Sequence, residues 1–205
     1  MLRLSNRLKS LGSDPTLLIL LLTACTPAPE PPAAVTTARI AADTEPHNWL
    51  SHGRTYSEQR FSPLTQINTA NVADVGLAWY LDLGTRRGLE ATPLVVDGVM
   101  YVSGAWNLVH AIDAATGELI WRYDPEVSRP WVAAHACCDA VSRGVAVADG
   151  KVLAATLDGR LLALDAASGA LLWETLTIDS VDQPAKYLVQ NELIDKVGVQ
   201  IRVQS

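Results

Sequence analysis

Hydrophobic and polar positions alternate in short runs through the middle of the chain, and the runs recur. Val95-Val96-Asp97-Gly98-Val99-Met100-Tyr101-Val102 aligns with Val147-Ala148-Asp149-Gly150-Lys151-Val152-Leu153-Ala154. Leu108-Val109-His110-Ala111-Ile112-Asp113-Ala114-Ala115-Thr116-Gly117-Glu118-Leu119-Ile120-Trp121 aligns with the stretch from Arg160 to Trp173. Both alignments share an offset of 52 residues, Val95 to Val147 and Trp121 to Trp173. Trp79 ends an earlier, degenerate copy. Short alternating runs bounded by turn residues predict strands. Asp-Gly at 97–98 and at 149–150 suits a tight hairpin turn, and Asp158-Gly159 predicts the same between Ala154–Leu157 and Arg160–Leu164. The Asp-x-x-x-Gly segment is a further turn, and the terminal Trp docks a strand on its neighbour. Each copy thus predicts about four short strands.

A sheet of that size cannot bury both faces alone. Stacking the copies radially solves the problem, which is the logic of a β-propeller. The predicted fold class is all-β, a partial propeller of about two blades; two blades cannot close a ring and leave sheet edges open. Upstream, the text from Asp43 to Ala73 is polar and rich in turn residues, with Pro63 and the Asn68–Asn71 stretch breaking it up. It predicts a wrap-around segment with one helical turn near Asn71–Val75. Val75–Leu83 (VGLAWYLDL) alternates and reads as β-like.

The start of the chain follows a different pattern. Arg3, Arg7 and Lys9 precede a short apolar run, Thr16–Thr23, too short to span a bilayer as a helix. Leu22-Thr23-Ala24-Cys25 then resembles the lipobox of bacterial lipoprotein signal peptides, which implies cleavage before Cys25 and its lipidation. Residues 1–24 are therefore expected to be a signal peptide. Residues 25–42 are expected to be a Pro/Ala-rich tether that does not pack. Propeller blades would occupy 43–183, with the whole held on a membrane in the periplasm.

Composition narrows the function. The 205 residues are 49% hydrophobic and 19% charged, with a net charge of −6 and no basic run, which argues against a nucleic-acid partner. With Cys25 assigned to lipid, two cysteines remain, the adjacent Cys137 and Cys138 in WVAAHACCDAVSRG. Their Cα atoms lie about 3.8 Å apart across a trans peptide, whereas ordinary disulfides want roughly 4.4–6.8 Å. A bond between them would close a small, stiff, flat-sided ring, useless as a staple but suited to a ligand surface. Two free buried thiols are the alternative, and the doublet by itself leaves both open. The four histidines, His47, His52, His110 and His135, match no metal-ligand spacing; His110 occupies the repeat position of Leu162 and is expected to line a strand face.

The repeated Ala-x-Asp-Ala-x-x-Gly-x-x-x-Trp resembles the tryptophan-docking motif of eight-bladed quinoprotein propellers. Leu89–Tyr101 and Ala136–Gly144 resemble the first two cofactor-binding segments of the PQQ-dependent alcohol dehydrogenases, and Thr156–Leu161 continues the register. The resemblance runs from about Asn48 to Gln183. It implies that a vicinal disulfide, Cys137–Cys138, packs flat on the quinone. It further implies that Glu90, otherwise an ordinary solvated Glu, hydrogen-bonds a polar edge of the quinone. Arg143, otherwise a surface Arg, would bind a quinone carboxylate through its planar fork of donors. Family chemistry is hydride abstraction from an alcohol, with an Asp as general base and Ca²⁺ as Lewis acid. That Asp and the calcium ligands belong to later blades, so no catalytic or metal-binding residue is assigned in this chain. The implied partners are a small alcohol and a periplasmic electron acceptor such as a cytochrome c.

After Gln183 the family's next Thr-containing segment and Gly-Gly-Ala-Glu-like loop have no counterpart. Residues 184–205 read as a divergent tail, from a frameshift, a fusion or truncation, or else as a divergent third blade. The leading reading is the N-terminal portion of a PQQ-dependent alcohol dehydrogenase, inactive as this chain alone. The rival is a non-enzymatic propeller lipoprotein acting as an outer-membrane assembly scaffold, which shares the lipobox and the Trp repeats but has no use for Glu90, the cysteine pair or Arg143.

Overall fold

The computed structural model describes residues 33–136 and 138–177. The expected signal peptide, the lipidation at Cys25, the pairing of Cys137 with Cys138 and the divergent tail all rest on residues outside that set.

Each repeat folds as one antiparallel sheet of four strands in sequence order. The first sheet holds β1 (Leu94–Val96), β2 (Val99–Ser103), β3 (Val109–Asp113) and β4 (Leu119–Tyr123). The second holds β5 (Ala146–Ala148), β6 (Lys151–Ala155), β7 (Arg160–Asp165) and β8 (Leu171–Leu176). The repeat extends to the irregularities. Ala111 faces Trp121 beside a register shift in the first sheet, and Ala163 faces Trp173 beside the same shift in the second.

The turns follow the sequence with one difference. Asp97 and Gly98 have φ of 52° and 85°, and Asp149 and Gly150 have 46° and 73°. Two successive positive φ values match the twist of a two-residue hairpin. At the third site only Gly159 is left-handed, with φ 85°. There the loop is one residue longer: Gly159 N–H donates to the Thr156 carbonyl (3.0 Å) and Thr156 N–H to the Arg160 carbonyl (2.9 Å). Asp158 therefore sits in an ordinary turn position ahead of a left-handed glycine. In the Asp-x-x-x-Gly turns, Asp113 accepts from the amides of Ala115 and Thr116, and Asp165 accepts from the amide and hydroxyl of Ser168.

The blades join through the tryptophans. Trp121 Nε1 donates to the Ala166 carbonyl at 3.0 Å, and its ring lies so close over Gly169 that a Cβ there would meet Trp121 Cδ2 at 2.6 Å. Trp79 does the same one repeat earlier, donating to the Ala114 carbonyl at 3.2 Å and covering Gly117. Tyr101 adds a second bond to Ala166, its hydroxyl donating at 3.1 Å. The main core runs through both sheets and includes Leu94, Tyr101, Val109, Trp121, Val152 and Leu164.

Two expectations need correction. Val75–Leu83 docks through Trp79 but is not a strand: it pairs with no strand among the described residues, and Leu77 and Tyr80 are each 81% exposed. Alternation sets the faces of a strand, but a strand also needs a partner ladder. The one helical turn expected just before it is present, at Val72–Asp74. The second correction concerns the tether, whose described part packs. Ala33, Val35 and Ile40 are buried in the main core, and the Ala33 carbonyl accepts from Gly150 N–H at 3.1 Å. Thr36 caps α1 (Thr37–Ala42) by accepting from Arg39 N–H. Arg39 then bridges Glu45 (2.6 Å) and Asp97, and it holds the Glu45 carboxyl down to about 2. Apolar residues spaced among the small ones, and one Arg between two carboxylates, make residues 33–45 a clasp across the first hairpins of both blades.

Candidate functional site

Two irregular segments lead into the first strand of each sheet, 87–92 into β1 and 138–144 into β5. They occupy the same place in adjacent repeats, and the fold lays them side by side. Arg87 pairs with Asp139, 52 residues away. A Cβ on Gly88 would touch Val141 Cγ1 at 3.5 Å. Arg143 NH2 stands 3.9 Å from Glu90 Oε2. Thr92 N–H donates to the Arg143 carbonyl at 3.3 Å. Gly144, with φ 140°, brings its backbone against the Thr92 carbonyl, where a Cβ would sit at 3.4 Å.

The cysteine doublet enters this ribbon from a helix. In α2 (Arg129–His135), Pro130 stands in the first turn, where its missing N–H costs nothing. Val132 buries against Val127 and Ala140. The helix closes with Ala136 N–H donating to the Val132 carbonyl at 2.8 Å, and Ala136 turns extended (φ −72°, ψ 129°). The chain therefore leaves the helix directly at the doublet. Cys138 is exposed, and Asp139 behind it is left-handed with φ 68°. Cys137 lies outside the described residues.

Three of the four residues singled out from the sequence, Glu90, Cys138 and Arg143, thus belong to one junction between adjoining blades. The Arg143 side chain is 71% exposed and that of Glu90 48%. An ion pair so long and so wet contributes about 0–1 kcal/mol, too little to explain two charges placed there for stability. Both groups are presented outward. A guanidinium, a carboxylate and an exposed cysteine on one rim can hold an anionic, hydrogen-bonding ligand with a flat face.

Sequence reasoning passed over a neighbouring group. Trp106 is left-handed, with φ 62° and ψ 23°, and donates its N–H to the Ala140 carbonyl at 2.8 Å. The guanidinium carbons of Arg87 and Arg129 lie 4.8 Å and 5.2 Å from its ring centroid. The 52-residue offset between Arg87 and Asp139 was visible as text, but nothing in the text marks a tryptophan with positive φ.

Comparison with known proteins places the chain in a family. The family described as "PQQ: Glucose/ethanol/alcohol dehydrogenase, beta-propeller domain" matches residues 49–175. The dehydrogenase subunit of the quinone alcohol dehydrogenase of Komagataeibacter europaeus is 57% identical over 141 residues, 69% of this chain and 19% of that protein. Quinohemoprotein alcohol dehydrogenase ADH IIB of Pseudomonas putida is 54% identical, over 82% of this chain and 24% of the relative. Among solved structures, quinohemoprotein alcohol dehydrogenase ADHIIG of Pseudomonas putida HK5 superposes with a TM-score of 0.70 at 56% identity, over 73% of this chain and 22% of that one. The chain spans about a fifth to a quarter of the length of these relatives. The paired repeats, the docked tryptophans and the matched region agree, and the chain belongs to the β-propeller family of the PQQ-linked glucose, ethanol and alcohol dehydrogenases.

Proposed function

We propose that this chain supplies one wall of the quinone site of a PQQ- and calcium-dependent alcohol dehydrogenase, of which it forms the N-terminal portion. The observation that carries the reading is the meeting of Glu90 and Arg143 across two adjoining repeats, 3.9 Å apart, on the rim that also bears Cys138. PQQ is a flat, tricarboxylic ortho-quinone, and the residues present fit it. Arg143 offers a planar fork of donors to a carboxylate. Glu90 meets a polar edge of the ring system. Cys138, bonded to Cys137, gives a stiff flat surface that keeps water off one face. When bound, PQQ accepts the hydride of the alcohol substrate.

Among the described residues no group of three or more His, Cys, Asp or Glu could hold a metal ion. The calcium ligands and the general base belong, in this reading, to other blades. A relative from Thauera butanivorans carries the name 1-butanol dehydrogenase (cytochrome c) and is 49% identical over 73% of this chain. A small primary alcohol as substrate and a periplasmic cytochrome c as acceptor are the corresponding proposals here, with Cys25 lipidated and the protein membrane-held. The scaffold reading draws support from no residue at this rim.

The test splices residues 33–177 into ADHIIG of Pseudomonas putida in place of the matching segment. PQQ affinity and alcohol oxidation are then measured with Arg143→Ala and Glu90→Gln. Losing a charge-assisted bond should weaken PQQ binding about ten- to hundredfold for Arg143→Ala, with activity recovering in excess PQQ. Unchanged affinity in both variants would remove the reading.

A further inference from the structure

The loop that carries the cysteine doublet is tied to blade one. Cys138 and Asp139 are exposed, and Asp139 is held in a left-handed conformation that aspartate visits at a cost. Trp106 grips the loop through its backbone, donating to the Ala140 carbonyl at 2.8 Å. The same residue's ring is the platform on which Arg87 lies, 4.8 Å from the centroid, and Arg87 pairs with Asp139. Trp106 is itself anchored. The next residue, Asn107, donates to the Ala155 carbonyl (3.1 Å) and accepts from Leu157 N–H (2.8 Å), so the turn is tied to the second blade. A bulky residue in a left-handed conformation persists only where its surroundings over-determine it.

We propose that Arg87 is a positioning residue for the cofactor wall: stacked on Trp106 and paired with Asp139, it latches the loop bearing Cys138 against the segment bearing Glu90. The planar guanidinium suits both contacts at once, its Cζ over the indole and an N–H on the carboxylate. Arg87 itself sits three residues before Glu90, and Asp139 immediately after Cys138. One side chain therefore sets the spacing of both rims. The inference rests on the quinone reading of this site for its purpose, but not for its geometry.

Two readouts test it. The first is amide exchange in the 205-residue chain without PQQ. Arg87→Ala should speed exchange in residues 138–144 about tenfold and Asp139→Asn about threefold, with β1–β8 unchanged. The second is PQQ affinity in the spliced enzyme. Arg87→Ala should weaken it about tenfold and Asp139→Asn about threefold, the double variant no further than Arg87→Ala, and Arg87→Lys should recover only part, since lysine keeps the charge and loses the stack. Faster exchange with unaltered PQQ affinity would overturn the positioning role. So would losses that simply add in the double variant, or no change in either readout. A spliced wild-type protein that retains no PQQ would overturn the quinone reading itself. A wild type that retains PQQ as well as Arg87→Ala does would overturn only the latch.

Discussion

His110 is the buried titratable side chain least matched to its surroundings. It is 3% exposed on β3, its Nδ1 has no hydrogen-bond partner, and burial followed by the nearby Arg122 charge pushes its pKa below the ordinary 6.5. The unfolded chain takes up a proton near pH 6.5 while the folded chain resists. Stability is therefore complete above that value and falls as pH drops below it. The repeat supplies the control, since Leu162 fills the same position in the second blade at 0% exposure. The ring also keeps a hydrogen bond to the Val102 backbone, so the readout is the pH dependence: His110→Leu should flatten the fall in Tm between about pH 7 and 5, and a fall that persists in the variant would show that His110 is not its source. At this scale the sequence was informative. The strand-face reading of His110 follows from its repeat partner, while Glu90 and Arg143 stand out only through the family resemblance. Trp106 and Arg87 escaped because a cation over a ring is a product of packing, with no spacing to announce it.

At the scale of elements, the junction between blades turns on one carbonyl. Ala166 is 1% exposed, and its oxygen accepts from both Trp121 Nε1 and the Tyr101 hydroxyl. Removing one donor leaves the other in place, so Trp121→Phe or Tyr101→Phe alone should cost about 1–2 kcal/mol. Removing both strands a buried acceptor. The double variant should therefore cost more than the two singles together, by about 0.5–3 kcal/mol in denaturant titrations; strict additivity would show that the two bonds are independent. The strands, the Asp-Gly turns and the docking role of Trp121 were all legible, because period-two alternation and turn chemistry are local. Two things were not. Val75–Leu83 has the alternation of a strand but lacks a partner. The clasp at residues 33–45 reads as a tether until Ile40 finds the core and Arg39 finds Asp97, contacts fixed only once both blades exist.

The same residue type in the same position meets two fates across the whole molecule. Trp121 is 9% exposed because the second blade covers it, while Trp173, its repeat equivalent on β8, is 38% exposed. Leu171 and Leu172 on the same strand are 42% and 50% exposed, no different from Leu119 and Ile120 at 48% each in the first blade, so Trp173 carries the difference. A continuous apolar strand of this kind favours association. The purified chain should self-associate in sedimentation experiments, and Trp173→Lys should reduce it; a wild-type chain that stays monomeric at high concentration would show that face to be covered. Repeat architecture makes stability a matter of neighbours, so the proposed quinone wall at the junction of two blades is held where the described fold is best supported.

The most direct measurement is a crystal structure of the spliced enzyme with PQQ. A quinone carboxylate within about 3 Å of the Arg143 guanidinium, with Glu90 at a polar edge and the ring plane flat against Cys137 and Cys138, is the predicted result. PQQ bound elsewhere, with Arg143 and Glu90 still open to solvent, would contradict the account.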